Sequence, residues 1–434
     1  MDLPEPLNEP PASAGTARSK PLFFIAALVV ILGAGIWLRC QHMTDVLSRS
    51  PDEKTYTMYA ARLADEGFGV YRELFANYDR NPSNWAYPSP RRFGHVLLFA
   101  AMMKITGNRD GRAGAAVSWI FSIFSLLLVA WIGIRFFSPA VGLLAPAFLA
   151  FSFGELGMAR RAWQETTFGF CGLLLVYLTC EIAATPRRKI LYAVFFAAGA
   201  FAFLTKETAF LCFGLCGLWL AVILLFHERS WKLLVGLLLG GLVSFLLAFA
   251  VWIALAGNAS LLLASIDHTF ARSAAWEWLE KCCSGPWYQF VYLLWIVGPL
   301  TAAMAAVGAV VAVFGRAPQI RRFSGLRDVR AAGITALMTL GFVGLAAFGP
   351  NFQFLRVISP ADGTYCLLAA IGLWYLVALA RHALPGFPRH AITGVAIGAV
   401  LLAGLHDYDA FTKVVVASGM EELAVSGIRS WMGR

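Results

Sequence analysis

The residues whose types could do chemistry are acids and arginines spaced far apart along the chain. Asp52-Glu53 follows Pro51 and heads the segment Tyr56–Glu66, where Tyr56, Tyr59, Ala60 and Leu63 share one helical face. That pattern predicts an amphipathic helix lying on a membrane surface. A carboxylate at its N-terminus would be kept ionised by the helix dipole. On spacing alone, Asp52 reads equally well as a helix cap. Further along come Arg91-Arg92, His95 and Arg112, then Arg160, Arg161 and Glu165, then Lys206-Glu207, then Asp267, His268 and Arg272, and finally Arg356 and Asp362. Carboxylates mixed with guanidinium forks suit a site for an anionic substrate, because arginine matches phosphate bidentately.

The elements that must position these groups are apolar. Of 434 residues, 59% are hydrophobic and 14% charged, and the mean hydropathy is +0.68. A soluble domain carries roughly a quarter charged residues, so the composition excludes a soluble fold, a coiled coil and disorder. Long continuous runs, rather than alternation, exclude a β-barrel. The expectation is an all-α polytopic membrane protein. Apolar runs at 21–38, 113–137, 140–158, 166–184, 190–204, 208–226, 231–256, 289–314, 331–349, 363–380 and 391–406 make eleven spans. The segment Phe93–Thr106 is too short to cross and reads as interfacial. On that reading, one set of connecting loops carries twelve Arg and Lys residues and the opposite set six. The richer set, which holds Arg187, Arg188, Arg327 and Arg330, faces the cytoplasm. The net charge of +10 is then a topology signal and not a nucleic-acid surface.

The organisation expected is a disordered cytoplasmic tail over 1–20 and a membrane domain over 21–406. The domain carries a first extracytoplasmic loop at 39–112 and a second at 257–288, and an extracytoplasmic tail follows at 407–434. The candidate acids and arginines then fall on the outer face of a cell inner membrane, where charged groups at membrane depth default to function. The cysteines show no metal or redox spacing. No internal repeat is visible, which weakens a transporter of duplicated halves.

The string Ser50-Pro51-Asp52-Glu53 with Tyr56 resembles the D-E-x-x-Y signature in the first outer loop of C-type (GT-C) glycosyltransferases. These include protein O-mannosyltransferases and lipid A aminoarabinose transferases. Further similarities keep the family's order. Tyr87-Pro88 to Gly107 is similar to its proline-led helix, and Arg112 to its arginine before the next span. Arg160–Glu165 (RRAWQE) is similar to its outer turn, Leu204-Thr205-Lys206 to its L-T-K turn, and Phe354-Leu355-Arg356 through Pro360 to its R-Y-x-x-P stretch. Ser89-Pro90-Arg91-Arg92 stands where the family often has Lys-Pro-Pro, Val357 replaces a tyrosine, and no soluble C-terminal domain is expected.

The resemblance implies a sugar transfer from a polyprenyl-phosphate donor to an acceptor hydroxyl of a glycan, lipid or protein, with inversion. It points to Asp52 as the general base. It also points to Arg112 first, then Arg91 or Arg92, then Arg356, as donors to the leaving phosphate. Lys206, Glu53 and Glu165 complete the expected substrate-binding set, with Glu53 open to capping the helix or orienting an arginine instead. Neither cofactor nor metal is expected, although Asp52 with Glu165 could hold a divalent ion. The alternative function is a transporter or flippase of a lipid-linked or anionic substrate.

Overall fold

The computed structural model describes residues 19–42, 50–275, 286–315, 317–318, 320, 326–349 and 355–417. The expected tail before Ser19, Phe354 and residues 418–434 lie outside them, as do Trp276, Trp278 and Lys281 of the second loop. The described residues form helices and turns only. Among the described residues, eight helices are long and apolar enough to cross a membrane, or up to ten if each of two bent pairs counts as one span. Each of the expected apolar runs is helical. The run 190–204 lies in a helix of 17 residues, Lys189–Thr205, which is short for a span.

In chain order the helices are α1 (Ser19–Cys40), α2 (Pro51–Glu66), α3 (Val70–Arg80), α4 (Phe93–Thr106), α5 (Gly111–Ile132), α6 (Pro139–Phe151), α7 (Phe153–Ala159), α8 (Glu165–Ala184) and α9 (Lys189–Thr205). They continue as α10 (Ala209–Val222), α11 (Trp231–Ala256), α12 (Ala259–Ala275), α13 (Trp287–Val297), α14 (Pro299–Phe314), α15 (Val329–Phe348), α16 (Ser359–Ala383) and α17 (Arg389–Phe411).

Two expected spans are broken. The run 140–158 bends by 61° between α6 and α7, where the Ser152 side chain accepts from Glu155 N and starts a new helix. The run 289–314 bends at Gly298-Pro299, since proline cannot continue the hydrogen-bond ladder of α13. The last helix passes the expected boundary at 406 and ends in a π turn at Thr412–Ala417.

The centre of the bundle is α8 with α16, whose inward positions are closely packed. Helices α1, α11 and α17 are peripheral, with under a quarter of their spans buried (17%, 22% and 17%). Their exposed leucines, valines and phenylalanines suit contact with lipid. Helix α14 approaches α16 backbone to backbone. A Cβ on Gly308 would collide with the Leu368 carbonyl, and one on Gly372 with the Met304 carbonyl. Glycine is needed at both positions because the helices meet through main-chain atoms.

The bundle has two polar ends. At one, Arg135 bridges to Glu181 at 3.1 Å, and Asp328 N donates to Phe136 O, so the turns after α5 and α8 meet the segment before α15. Glu165 and Glu181 mark opposite ends of α8. The other end holds the first loop and the turns before α8, α10 and α16.

Candidate active site

Helix α2 starts one residue after Ser50, which is its N-cap. The Ser50 hydroxyl accepts from Glu53 N at 3.3 Å, and Glu53 Oε2 accepts from Ser50 N at 3.3 Å. This reciprocal capping box occupies Ser50 and Glu53. The cap is therefore Ser50, and the Asp52 carboxylate is left to act elsewhere in the first turn. The face expected to lie on lipid, Tyr56, Tyr59, Ala60 and Leu63, is instead buried inside the protein, packed on α4. Tyr59 donates from its hydroxyl to Pro88 O, which ties the helix to the proline-led segment.

Asp52 Oδ2 lies 3.4 Å from Arg356 Nη1, with 19% and 16% of the two side chains exposed. The neighbouring Glu53 is fully buried. Its Oε2 accepts from Arg161 Nη2 at 2.5 Å and its Oε1 from Ala162 N at 2.9 Å. The adjacent acids thus have different roles. Glu53 is fully buried, caps α2 with Ser50 and holds Arg161, which is the capping and arginine-orienting alternative to substrate binding, and it anchors the turn before α8 to α2. Asp52 points at a cation it shares with the accessible space.

Trp163 joins these two pairs. Its indole is buried, its Nε1 donates to Ser50 Oγ at 3.0 Å, and the guanidinium carbons of Arg161 and Arg356 each lie 5.1 Å from a ring centroid. One aromatic ring therefore holds both arginines next to the acids they serve.

A second network links the first loop to the turn after α9. Arg92 donates from Nη1 to the Tyr56 hydroxyl at 2.6 Å and from Nε to Glu207 Oε2 at 3.1 Å. Arg91 pairs with Glu207 Oε1 at 3.5 Å and donates to Thr269 Oγ1 of α12 at 2.7 Å. Burial alone would raise the Glu207 carboxyl, but Arg92 and Arg91 outweigh it and hold it down at about 2. Lys206 Nζ lies 3.2 Å from Glu165 Oε1. Burial pushes the Lys206 ammonium down from its ordinary range, against the opposing pull of Glu165. His95 sits beneath, edge-on to Tyr56 at 5.3 Å between ring centroids. Burial pushes its imidazole down to about 4, so it is neutral near pH 7.

The structure therefore brings together Asp52, Glu53, Arg91, Arg92, Glu165, Lys206 and Arg356 through contacts made at one end of the bundle. It does not bring in Arg112, the first expected phosphate donor. That side chain is 62% exposed and its ion pair, at 3.8 Å, is with Asp110 of its own turn. The reason is local. Asp110 caps α5 by accepting from Arg112 N at 2.8 Å, which sets residue 112 in the first helical turn with its side chain outward. Arg161 and Glu207 stood among the charged residues of the outer turns but were given no role in the sequence, and Trp163 was not singled out. The signal for all three was adjacency: Arg161 and Trp163 stand inside the RRAWQE string, and Glu207 next to Lys206. Five basic groups here (Arg91, Arg92, Arg161, Lys206 and Arg356) meet four carboxylates. The surplus of positive charge suits an anion. Asp52 and Glu165 each face a cation, and among the described residues no three His, Cys, Asp or Glu side chains converge as a metal group.

No protein-family model matches the chain, and no curated protein matches it in sequence. Solved structures do resemble it. ArnT from Cupriavidus metallidurans bound to undecaprenyl phosphate aligns with a TM-score of 0.53 at 17% identity, over 96% of this chain and 76% of its own. The Archaeoglobus fulgidus oligosaccharyltransferase in its apo form aligns with a TM-score of 0.55 at 12% identity, over 90% of this chain and 57% of its own. The archaeal oligosaccharyltransferase AglB from Archaeoglobus fulgidus, in complex with an inhibitory peptide and a dolichol-phosphate, aligns with a TM-score of 0.51 at 12% identity, over 94% of this chain and 57% of its own. ArnT and AglB are GT-C glycosyltransferases. The chain shares their polytopic helical fold.

Proposed function

We propose that the protein is an integral-membrane glycosyltransferase that moves a sugar from a polyprenyl-phosphate donor to an acceptor hydroxyl at the extracytoplasmic face. The observation that carries this reading is the Asp52–Arg356 pair. It is a partly exposed carboxylate in the first turn of α2, released from capping by Ser50, beside a partly exposed guanidinium. The structural neighbours support the donor class, because one is bound to undecaprenyl phosphate and another to a dolichol-phosphate.

In the proposed step the acceptor oxygen attacks C1 of the sugar while the bond from C1 to the phosphate oxygen breaks. Asp52 takes the acceptor's proton as the new bond forms, and attack opposite the leaving group inverts the anomeric centre. Polyprenyl phosphate leaves with the bonding electron pair. Arg356, Arg92 and Lys206 keep 16%, 18% and 13% of their side chains exposed. They are the donors best placed to receive that charge without rearrangement. Arg91 and Arg161 are more deeply buried and hold the frame. Placing the site on the outer face of a cell inner membrane rests on the basic loops of the opposite end.

A transporter would hold its charged groups near midplane, whereas this cluster sits at the connecting turns. Purified protein given a polyprenyl-phosphate sugar and an acceptor should release polyprenyl phosphate, and Asp52→Asn should stop that release. Movement of the lipid-linked sugar across a vesicle membrane without bond cleavage would instead support the transporter.

A further inference from the structure

Three cations of the site keep part of their surface in water: Arg356, Arg92 and Lys206. Arg356 faces Asp52 and Lys206 faces Glu165, one acid to each cation. Arg92 is different, because it shares its acid, Glu207, with Arg91. The two guanidinium groups divide the carboxylate, Arg92 Nε meeting Oε2 at 3.1 Å and Arg91 Nη2 meeting Oε1 at 3.5 Å.

The fold forces this sharing. Helix α4 starts at Phe93. A Cβ on Gly94 would lie 2.7 Å from Thr205 Oγ1 and 3.1 Å from the main chain of Leu204 and Thr205. The bare glycine lets the start of α4 rest against the turn after α9, which sets Arg91-Arg92 beside Glu207. Arg91 is then fixed from behind. Its Nε donates to Ser89 Oγ at 3.2 Å, its Nη2 donates to Thr269 Oγ1 at 2.7 Å, and its carbonyl accepts from Trp252 Nε1 at 2.7 Å. With only 6% of its side chain exposed, it supplies charge and little contact surface. Arg92 spends Nε on Glu207 and Nη1 on the Tyr56 hydroxyl. Its Nη2 has no hydrogen-bond partner among the described residues, so one guanidinium nitrogen is left for a ligand oxygen.

Arg91, Arg92, Lys206 and Arg356 face Asp52, Glu165 and Glu207, and Arg161 is matched by Glu53. Glu207 is ionised, since the two arginines hold its carboxyl down at about 2. These contacts leave one positive charge, and it lies at Arg92. A sugar joined through one phosphate is a phosphodiester with a single negative charge, which closes the balance. A diphosphate linkage carries two. The second would sit uncompensated in a partly buried site, near the Asp52 carboxylate. An acid that cancels one of two adjacent arginines therefore selects against the wrong ligand while it holds the right one in place.

We propose that Glu207 restricts the donor to a lipid-linked sugar held through one phosphate, by cancelling one of the two positive charges that a diphosphate would need. The role rests on the glycosyltransferase reading above and names the residue that sets the charge of its donor.

The test uses the purified full chain in detergent at pH 7 and two probes, undecaprenyl methyl phosphate and undecaprenyl methyl diphosphate. These diesters bear one and two negative charges and have no sugar to transfer, so titration reads binding without turnover. The wild type should bind the monophosphate probe more tightly, a preference that stands or falls without any variant. Glu207→Gln should shift the ratio of the two Kd values toward the diphosphate by about tenfold, and Glu207→Asp should keep most of the wild-type ratio. Adding Arg91→Gln to Glu207→Gln removes the extra charge and should return the ratio toward that of the wild type. A wild type that binds the diphosphate probe equally or more tightly overturns the proposal and leaves the glycosyltransferase reading standing. A ratio unmoved by Glu207→Gln does the same, since loss of a merely structural contact weakens both probes alike. Binding of neither probe by the wild type overturns both this role and the reading on which it rests.

Discussion

Replacing Asp52 with Asn removes a charge and a proton acceptor with almost no change of shape, and the geometry gives the two losses different signs. In the resting protein Asp52 holds Arg356 at 3.4 Å, an attraction of about 5 kcal/mol at an effective dielectric of 20. Both side chains keep part of their surface in water, so the net value falls to about 1 kcal/mol. A phosphate arriving at Arg356 must compete with that. Asp52→Asn should therefore bind polyprenyl phosphate as tightly as the wild type or up to about fivefold tighter. Turnover should fall by about 10² to 10⁴, the usual contribution of a positioned base. Release of polyprenyl phosphate from a polyprenyl-phosphate sugar gives kcat, and titration of the free lipid phosphate gives Kd. Turnover within about threefold of the wild type would refute the base assignment. Loss of lipid-phosphate binding in step with turnover would refute the separation of the two roles.

Four further outcomes are expected. Glu53→Gln breaks a fully buried ion pair with Arg161, so thermal unfolding should shift down by several degrees, as expected for a loss of about 3 kcal/mol; an unchanged midpoint would contradict the anchoring role. Trp163→Leu removes the ring that both Arg161 and Arg356 approach at 5.1 Å, and kcat should fall about tenfold, with Trp163→Phe recovering part of it because a ring face remains. Arg112→Ala should leave turnover within about twofold of the wild type, since that side chain is 62% exposed; a large loss would return it to the phosphate site. His95 is depressed from 6.5 to about 4 by burial, so the unfolded chain binds its proton more readily; stability is full above about pH 6.5 and is lost as pH falls toward 4. His95→Phe should flatten stability measured across that window, and an unchanged slope would exclude His95 as its source.

Much of the site was legible in the sequence because the family-like motifs are short strings of charged residues in an otherwise apolar chain. Asp52-Glu53, Arg91-Arg92, Glu165, Lys206 and Arg356 stand out against lipid-facing runs. Their role assignments were less legible. Nothing in the order Asp52-Glu53 says which acid is buried against Arg161 and which meets Arg356, since that depends on Ser50 being the cap. Arg112 looked like the strongest donor from its place before a span, but a single capping contact from Asp110 turns it outward. The bends at Ser152 and Gly298 were equally hidden, because hydropathy counts apolar residues and is blind to the direction of the axis.

The sequence by itself determined the all-helical membrane fold, the approximate position of each apolar helix and the amphipathic face of α2. These follow from hydrophobicity and period, which are local properties of the chain. Only the tertiary structure decided that Trp163 gathers two arginines, that α2 buries its face on α4, and that Arg91 and Arg92 share Glu207. Those facts pair residues separated by up to hundreds of positions, and helix packing alone sets which of them meet.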